Sequence, residues 1–412
     1  MQKNILSATG LTILFLGIAV APLIHGTIIE ELNFTEFKDK FLYVGGTGPD
    51  NYSYIQDAID NAVDGDTIFV FNDSSPYEEC LEINSRISLI GEDKESTIII
   101  GDCIEKLITV RGRQVTISGF TIKTNDSKRY PYYGIYIQRD ETTITGNIIL
   151  NIETGISVMS NYNKIIDNEF VNSGMFISHT ENYNTVLNNY VNGKPLVYLN
   201  TIFNKKINNA GQVILINCIN ITVENTDISN TYYGILLSNS RFCKVKANKL
   251  NNSNIFLMDS SKNEILNNKI CFIKRRTMYL TLGINLQASD ENIVSGNNIS
   301  SIQGYGLQIY ISNENIISGN NIQNNHLAIR LDDSNSNTIK NNNFIGNSRK
   351  VSFIDCKCNK WDANFWGRNR IFPKLIKGSI TIVPPGFGTP GKYLPWFNLD
   401  WHPAKIPYNI TL

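Results

Sequence analysis

Three pairs of polar residues recur at a spacing that would align them across consecutive strands: Asn285 and Gln287, Gln308 and Tyr310, Arg330 and Asp332. Members of a pair are two residues apart, so on a strand both face the same side. The pairs follow one another at 23 and 22 residues. Amides and hydroxyls next to a phenol suit the alternating polar edges and apolar faces of a sugar. Arg330 is the residue type that acts as base in a lyase, and Asp332 supplies a carboxyl for acid–base work. Hydrolysis of a glycosidic bond asks for two carboxyls facing across the substrate. Asp332 and Asp333 are neighbours, expected on opposite sides of a strand, which leaves Asp259 and Asp290 as second carboxyls. Lys274, Arg275 and Arg276 could grip an anionic sugar or a sulfate, or form a solvated turn.

The elements that would position these residues are written in a repeat. Asn147, Asn168, Asn189, Asn248, Asn268, Asn297, Asn320 and Asn342 each follow Ile or Val by three residues and precede another apolar residue by two. Thr226 stands in the same register, in Val223-x-x-Thr-x-Ile228. Most steps are 20 to 23 residues, about what three short strands and three turns consume, so the chain is expected to be a β-solenoid. No 3.6-residue apolar stripe follows each strand, which excludes helical repeats. An inward Asn at the same turn of every coil can bond to the coils above and below, satisfying groups that a buried turn would strand. A second motif, Gly-apolar-x-apolar, begins at Gly134, Gly155, Gly174, Gly234, Gly283 and Gly306. Its alternation puts one set of side chains inside and the other outside. On this reading Tyr136, Gln138, Ser157, Met159, Phe176, Ser178, Leu236, Ser238, Phe256 and Met258 are exposed in the earlier coils, and the three polar pairs in the last ones.

With these units stand Tyr43-Val44-Gly45-Gly46, Ile55-Gln56-Asp57-Ala58-Ile59, Asp64-Gly65-Asp66-Thr67-Ile68 and Asn364-Phe365-Trp366-Gly367. Together they resemble the right-handed parallel β-helix proteins of the NosD-like, pectin-lyase-like type, over roughly residues 41–370. The resemblance implies an all-β, right-handed solenoid of roughly a dozen coils. It leaves activity open, because this architecture carries lyases, hydrolases, epimerases, adhesins and accessory factors alike. Asn225-Thr226-Asp227 looks like one motif of polygalacturonase-type hydrolases, but the Asp-Asp, Gly-His-Gly and Arg-x-Lys companions are absent. NosD likeness also implies copper, against which the donors argue. The four His (His25, His179, His326, His402) form no His-x-His, and no Met-rich run exists. No cofactor is expected, with Ca²⁺ the one ion a lyase-type reaction would add.

The remaining chain divides around this body. Residues 1–26, with Lys3 before an apolar stretch, read as a signal peptide or an N-terminal anchor, placing the body outside the cytoplasm. Residues 27–66 read as a lead-in and cap, with Ser53 as N-cap of an amphipathic helix marked by Ile55, Ala58, Ile59 and Ala62. Residues 67–350 form the solenoid, and the Trp- and Pro-rich residues 351–412 a second cap. An interval of 37 between Asn189 and Thr226 leaves room for an additional coil, and one of 29 between Asn268 and Asn297 for a loop at 271–280. The seven cysteines are too few for a disulfide scaffold, although Cys80 and Cys103 lie about one coil apart and could pair. Eight glycosylation sequons are about what this composition gives by chance.

Equal numbers of acidic and basic residues, 37 of each, favour neither nucleic acid nor a strongly acidic partner. The expected partner is an extracellular or envelope glycan, met by a monomer that touches membrane only through its N-terminal segment. Three functions fit: binding of extracellular carbohydrate without catalysis, modification of a polysaccharide at the late coils by a lyase, hydrolase or epimerase chemistry, or a structural rod of the envelope.

Overall fold

A computed structural model describes residues 40–124, 132–178, 183–273, 281–383 and 391–410. Residues 39–412 make one compact unit. It is a right-handed parallel β-solenoid of about 15 turns. Each turn stacks in register on the next: Ile117, Ile144, Ile165 and Val186 lie over one another on four successive strands. All four are buried. Strands of three to six residues suffice because each side chain in the inward column is covered by its equivalents one coil above and below. Among the described residues no helix is long and apolar enough to cross a membrane.

The asparagine ladder is real and is completely bonded. Asn297 Oδ1 accepts from the main-chain N–H of Asn268 (2.9 Å) and from its Nδ2 (3.0 Å). Asn297 Nδ2 in turn donates to Asn320 Oδ1 and to the carbonyls of Ile265 and Ser295. The same pattern joins Asn320 to Asn342 and Asn342 to Asn364. At Thr226 the hydroxyl keeps one link, donating to Asn248 Oδ1 at 2.9 Å. The residue before every ladder position is left-handed: Gly146, Asp167, Asn188, Asn225, Ala247, Asn267, Gly296, Gly319, Asn341 and Ala363 all have φ between 53° and 68°. One left-handed residue turns the chain, and the Asn after it ties off the amide groups that the turn buries.

Two further polar columns escaped the sequence reading. Asn263, Asn292, Asn315, Asn337 and Asn359 each accept from the backbone N–H of the equivalent residue one coil earlier. Ser240, Ser260, Ser289, Ser312 and Ser334 do the same with hydroxyls, from Cys218 onward, and Cys356 Sγ closes that column. A thiol thus occupies a hydroxyl's place. Burial pushes the Cys356 thiol up to about 12.

Both ends of the stack are closed by residues distant in sequence. The N-terminal helix is Ile55–Asn61, with Ile55, Ala58 and Ile59 buried. Ser53 does not cap it. The N-cap is Tyr54, without a side-chain bond, and the first amides, of Ile55 and Gln56, donate instead to the Glu79 carboxylate at 2.8 and 2.9 Å. A carboxylate at a helix N-terminus satisfies orphan donors and meets the positive end of the helix dipole. Cys80 and Cys103 form a disulfide. At the other end, strands Lys374–Val383 and Lys392–Asp400 pair as an antiparallel hairpin. Single bridges, Ile354 to Ser379 and Trp361 to Asp400, place this hairpin on the last coil. Asp400 ends the ladder, accepting from Asn364 N, Asn364 Nδ2 and Trp366 Nε1.

The interval of 37 holds an irregularity as well as an extra strand. Tyr190–Val191 turns back antiparallel onto Lys194–Asn200, which then pairs in parallel with Gln212–Ile216. The Gln212 side chain reaches across the break, accepting from Met175 N at 2.9 Å and donating to Met175 O at 2.7 Å. A side-chain amide here makes the two bonds a main-chain peptide would make.

Candidate functional site

The late coils place the three polar pairs in two columns. Asn285, Gln308, Arg330 and Ser352 are direct register partners on successive strands, as are Gln287, Tyr310, Asp332 and Ile354. Parallel strands lie roughly 4.8 Å apart, so each column is a straight line of side chains at that pitch. Ser352 extends the first column beyond the residues read from sequence.

Arg330 and Asp332 are bound to each other. Nε donates to Asp332 Oδ2 at 2.8 Å and Nη2 lies 2.6 Å from Oδ1, a bidentate pair, while Nη1 donates to Ser352 Oγ at 2.7 Å. Their side chains are only 20% and 18% exposed. Such a pair holds the guanidinium plane fixed. That suits recognition of polar groups. Gln287 and Gln308 are half-buried and Tyr310 is exposed, so the rim of the columns is open to a ligand.

Several outward positions expected to be exposed are buried. Ser157, Leu236 and Ser238 have no exposure, and Phe256 and Asn285 have 9% and 4%. Ile214, Ile216, Leu236 and Phe256 join one apolar cluster, against which Phe176, Tyr233 and Met258 pack. The Tyr233 ring sits 4.6 Å from that of Phe176 and 5.6 Å from that of Phe256. Apolar outward residues lose less by burial than by hydration, so the middle of this face is a second core. Asn285 lies at its margin, its Oδ1 buried without a hydrogen-bond partner.

The carboxyls are distributed differently from the sequence expectation. Asp333 does not point into the opposite side of a strand. Its φ of 47° turns the chain there and leaves it exposed. One coil on, Asp355 occupies the same left-handed position with φ 53°. Burial first, then the charges of Asp355 and Asp332, push the Asp333 carboxyl above its ordinary 3.8. Asp355 itself accepts from Thr381 N and Oγ1. The recurrence of Asp after 22 residues was the signal that could have found this group. Asp290 is engaged by Asn313 N at 2.6 Å, and Asp259 sits exposed in a left-handed turn. Lys274, Arg275 and Arg276 lie outside the described residues.

Comparison with known proteins joins this geometry to a family. Residues 106–270 match the family described as right handed beta helix region, and residues 197–370 match the one described as periplasmic copper-binding protein (NosD). The chain is a NosD-like parallel β-helix protein. No curated protein matches it. Among solved structures, this β-helix is similar to tailspike protein 3 of bacteriophage CBA120 (11% identity, TM-score 0.37, covering 79% of this chain and 57% of the tailspike). It is also similar to the A-module of a mannuronan C-5 epimerase of Azotobacter vinelandii (13%, 0.32, 75% and 86%). A polysaccharide lyase of Pseudopedobacter saltans is a third (13%, 0.30, 72% and 82%). The chain thus spans little more than half the tailspike's length.

The copper in the family's description does not find a matching set of ligands among the described residues. Among the described residues no three His, Cys, Asp or Glu side chains converge. The soft donors Cys218, Cys243 and Cys356 are buried in the polar columns, with their thiols pushed up by burial. His326 is exposed, and His402 Nδ1 lies 3.0 Å from Asp362 Oδ1. His25 and His179 lie outside the described residues.

Proposed function

We propose that this β-helix works outside the cytoplasm and binds an extracellular or envelope carbohydrate on the outward face of its late coils. One observation carries the reading: Gln308, Arg330 and Ser352 form a single in-register column, with Arg330 locked by Asp332 and the open Tyr310 ring at its edge. Fixed donors at a regular pitch match a polymer that offers hydroxyls at regular intervals, and a ring beside them can take the apolar face of a sugar. The test is a glycan-array screen of the protein, with and without Ca²⁺, beside Arg330→Ala and Asp332→Ala. Binding that is lost in both variants supports the site; binding unchanged in both removes it.

The same face supports a second reading as a polysaccharide-modifying enzyme. Asp333, with its proton retained to higher pH by partial burial and then by the charges of Asp355 and Asp332, is the group that would donate to a leaving oxygen. Release of new chain ends or unsaturated sugars from a bound glycan, abolished in Asp333→Asn, would establish it. An envelope rod is what remains if no glycan binds.

A further inference from the structure

The segment that follows the last coil carries a strong charge imbalance in a chain of zero net charge. Between residues 363 and 412 stand Arg368, Arg370, Lys374, Lys377, Lys392 and Lys405 against one acid, Asp400. Asp400 is fully buried and committed to the ladder. None of the six cations has an acidic partner among the described residues; the nearest engagement is Lys374, which donates to Leu375 O and lies 5.7 Å from the Trp366 ring. Arg370 Nε is buried without a hydrogen-bond partner. Burial together with the neighbouring Arg368 lowers Arg370, and burial together with Arg370, Lys350, Lys377 and Arg368 lowers Lys374. Arg368, Arg370, Lys374 and Lys377 thus repel one another.

Apolar surface gathers at the same end. Ile371 and Phe372, directly between Arg370 and Lys374, are 86% and 79% exposed. On the hairpin Leu394, Trp396 and Phe397 are 46–56% exposed, and Trp401 follows at 62%. Ser379 and Asp400 form the β-bridges to the solenoid and Thr381 bonds to Asp355; Ile382 and Val383, 55% and 45% exposed, lie beyond these anchors at the end of their strand. Aliphatic side chains in this number offer nothing to a sugar. Aromatic and aliphatic tips flanked by unpaired Lys and Arg match the boundary between acyl chains and acidic headgroups.

We propose that the C-terminal hairpin docks the solenoid onto an anionic phospholipid surface, with Arg368 and Arg370 on headgroup phosphates and Phe372, Trp396 and Phe397 in the interface. The proposed contact residues are not members of the late-coil columns, although Ile354 of one column pairs with Ser379 of the hairpin. Docking is independent of whether the face of those columns binds carbohydrate.

The test is flotation of the full-length protein with phosphatidylcholine vesicles, and with vesicles holding roughly a third phosphatidylglycerol, at a fixed ionic strength. Wild type is expected to prefer the anionic vesicles. Arg368→Gln/Arg370→Gln should weaken binding to them about 30-fold, at about 1 kcal/mol per removed cation. Trp396→Ser/Phe397→Ser should weaken it too, with circular dichroism unchanged in both. Equal binding of wild type and both variants would assign all membrane affinity to the N-terminal segment and overturn the proposal. So would loss of binding to soluble polygalacturonate, but not to vesicles, in Arg368→Gln/Arg370→Gln. A third overturning result is a wild-type dimer, dissociated by Trp396→Ser/Phe397→Ser, that shows no preference for anionic vesicles.

Discussion

Asn297→Ala removes one rung from the middle of the ladder, and its cost can be worked from the bonds it breaks. Asn297 is fully buried. Truncation leaves the Asn268 N–H and Nδ2 without their acceptor, and the Ile265 carbonyl without a donor at 2.8 Å. The Asn297 main-chain bond to Asn320 Oδ1, 2.9 Å, is retained. A buried amide left unsatisfied costs about 1–3 kcal/mol. The Ser295 carbonyl also loses Asn297 Nδ2 but still accepts from Asn267 N at 3.0 Å, and Asn268 Nδ2 can still reach Val245 O at 2.9 Å, so with one main-chain donor and the Ile265 carbonyl counted in full the sum is about 3–5 kcal/mol. A solenoid holds each coil by its neighbours only, so the loss should first appear as local opening. Hydrogen exchange should show faster exchange of Asn268 N–H and of the flanking strands Lys269–Cys271 and Asn298–Ser300, with a lower urea midpoint. Asn298→Ala is the control. That half-buried neighbour makes one long contact, 3.5 Å to Gln323, and should cost under about 0.5 kcal/mol. Equal loss in the two variants, or no change in exchange at Asn268, would refute the view that the ladder secures the turns.

Three further outcomes are expected. Asp400→Ala strips the terminal acceptor from Asn364 and Trp366 Nε1 and should cost about 3–5 kcal/mol, read as early fraying in tryptophan fluorescence; Asp362→Ala, whose exposed pair with His402 is worth about 0–1 kcal/mol, should not. Asp333→Asn should raise the melting temperature at neutral pH. The folded-state value lies above 3.8, so the native protein carries this charge at a cost above that window and at none below it, and the gain should vanish in acid. Glu224→Gln should do the reverse. Bonds from Lys206 and then Lys246 hold its carboxyl below the ordinary 4.5, so its contribution is present above 4.5 and lost as pH falls through the lower folded value. Wild type and variant melts should converge there.

The sequence determined the solenoid, its polar ladder and the line of Asn285, Gln308 and Arg330, because each is a short-range pattern repeated at one period. Once a left-handed residue precedes Asn and an apolar residue follows two later, the register of each coil on the next is set. What breaks the period had to come from tertiary structure. Glu79 capping the helix, Asp400 ending the ladder and Gln212 bridging the irregular step are each single residues meeting groups 23 to 37 positions away. The burial of Ser157 and Leu236 was equally invisible, since alternation tells which side of a strand a residue takes and not what covers that side. The face of the late coils depended on the fold in the same way. Only stacking could show that Arg330 and Asp332 hold each other, that Ser352 joins them, and that Asp333 and Asp355 share a turn position where their charges interact.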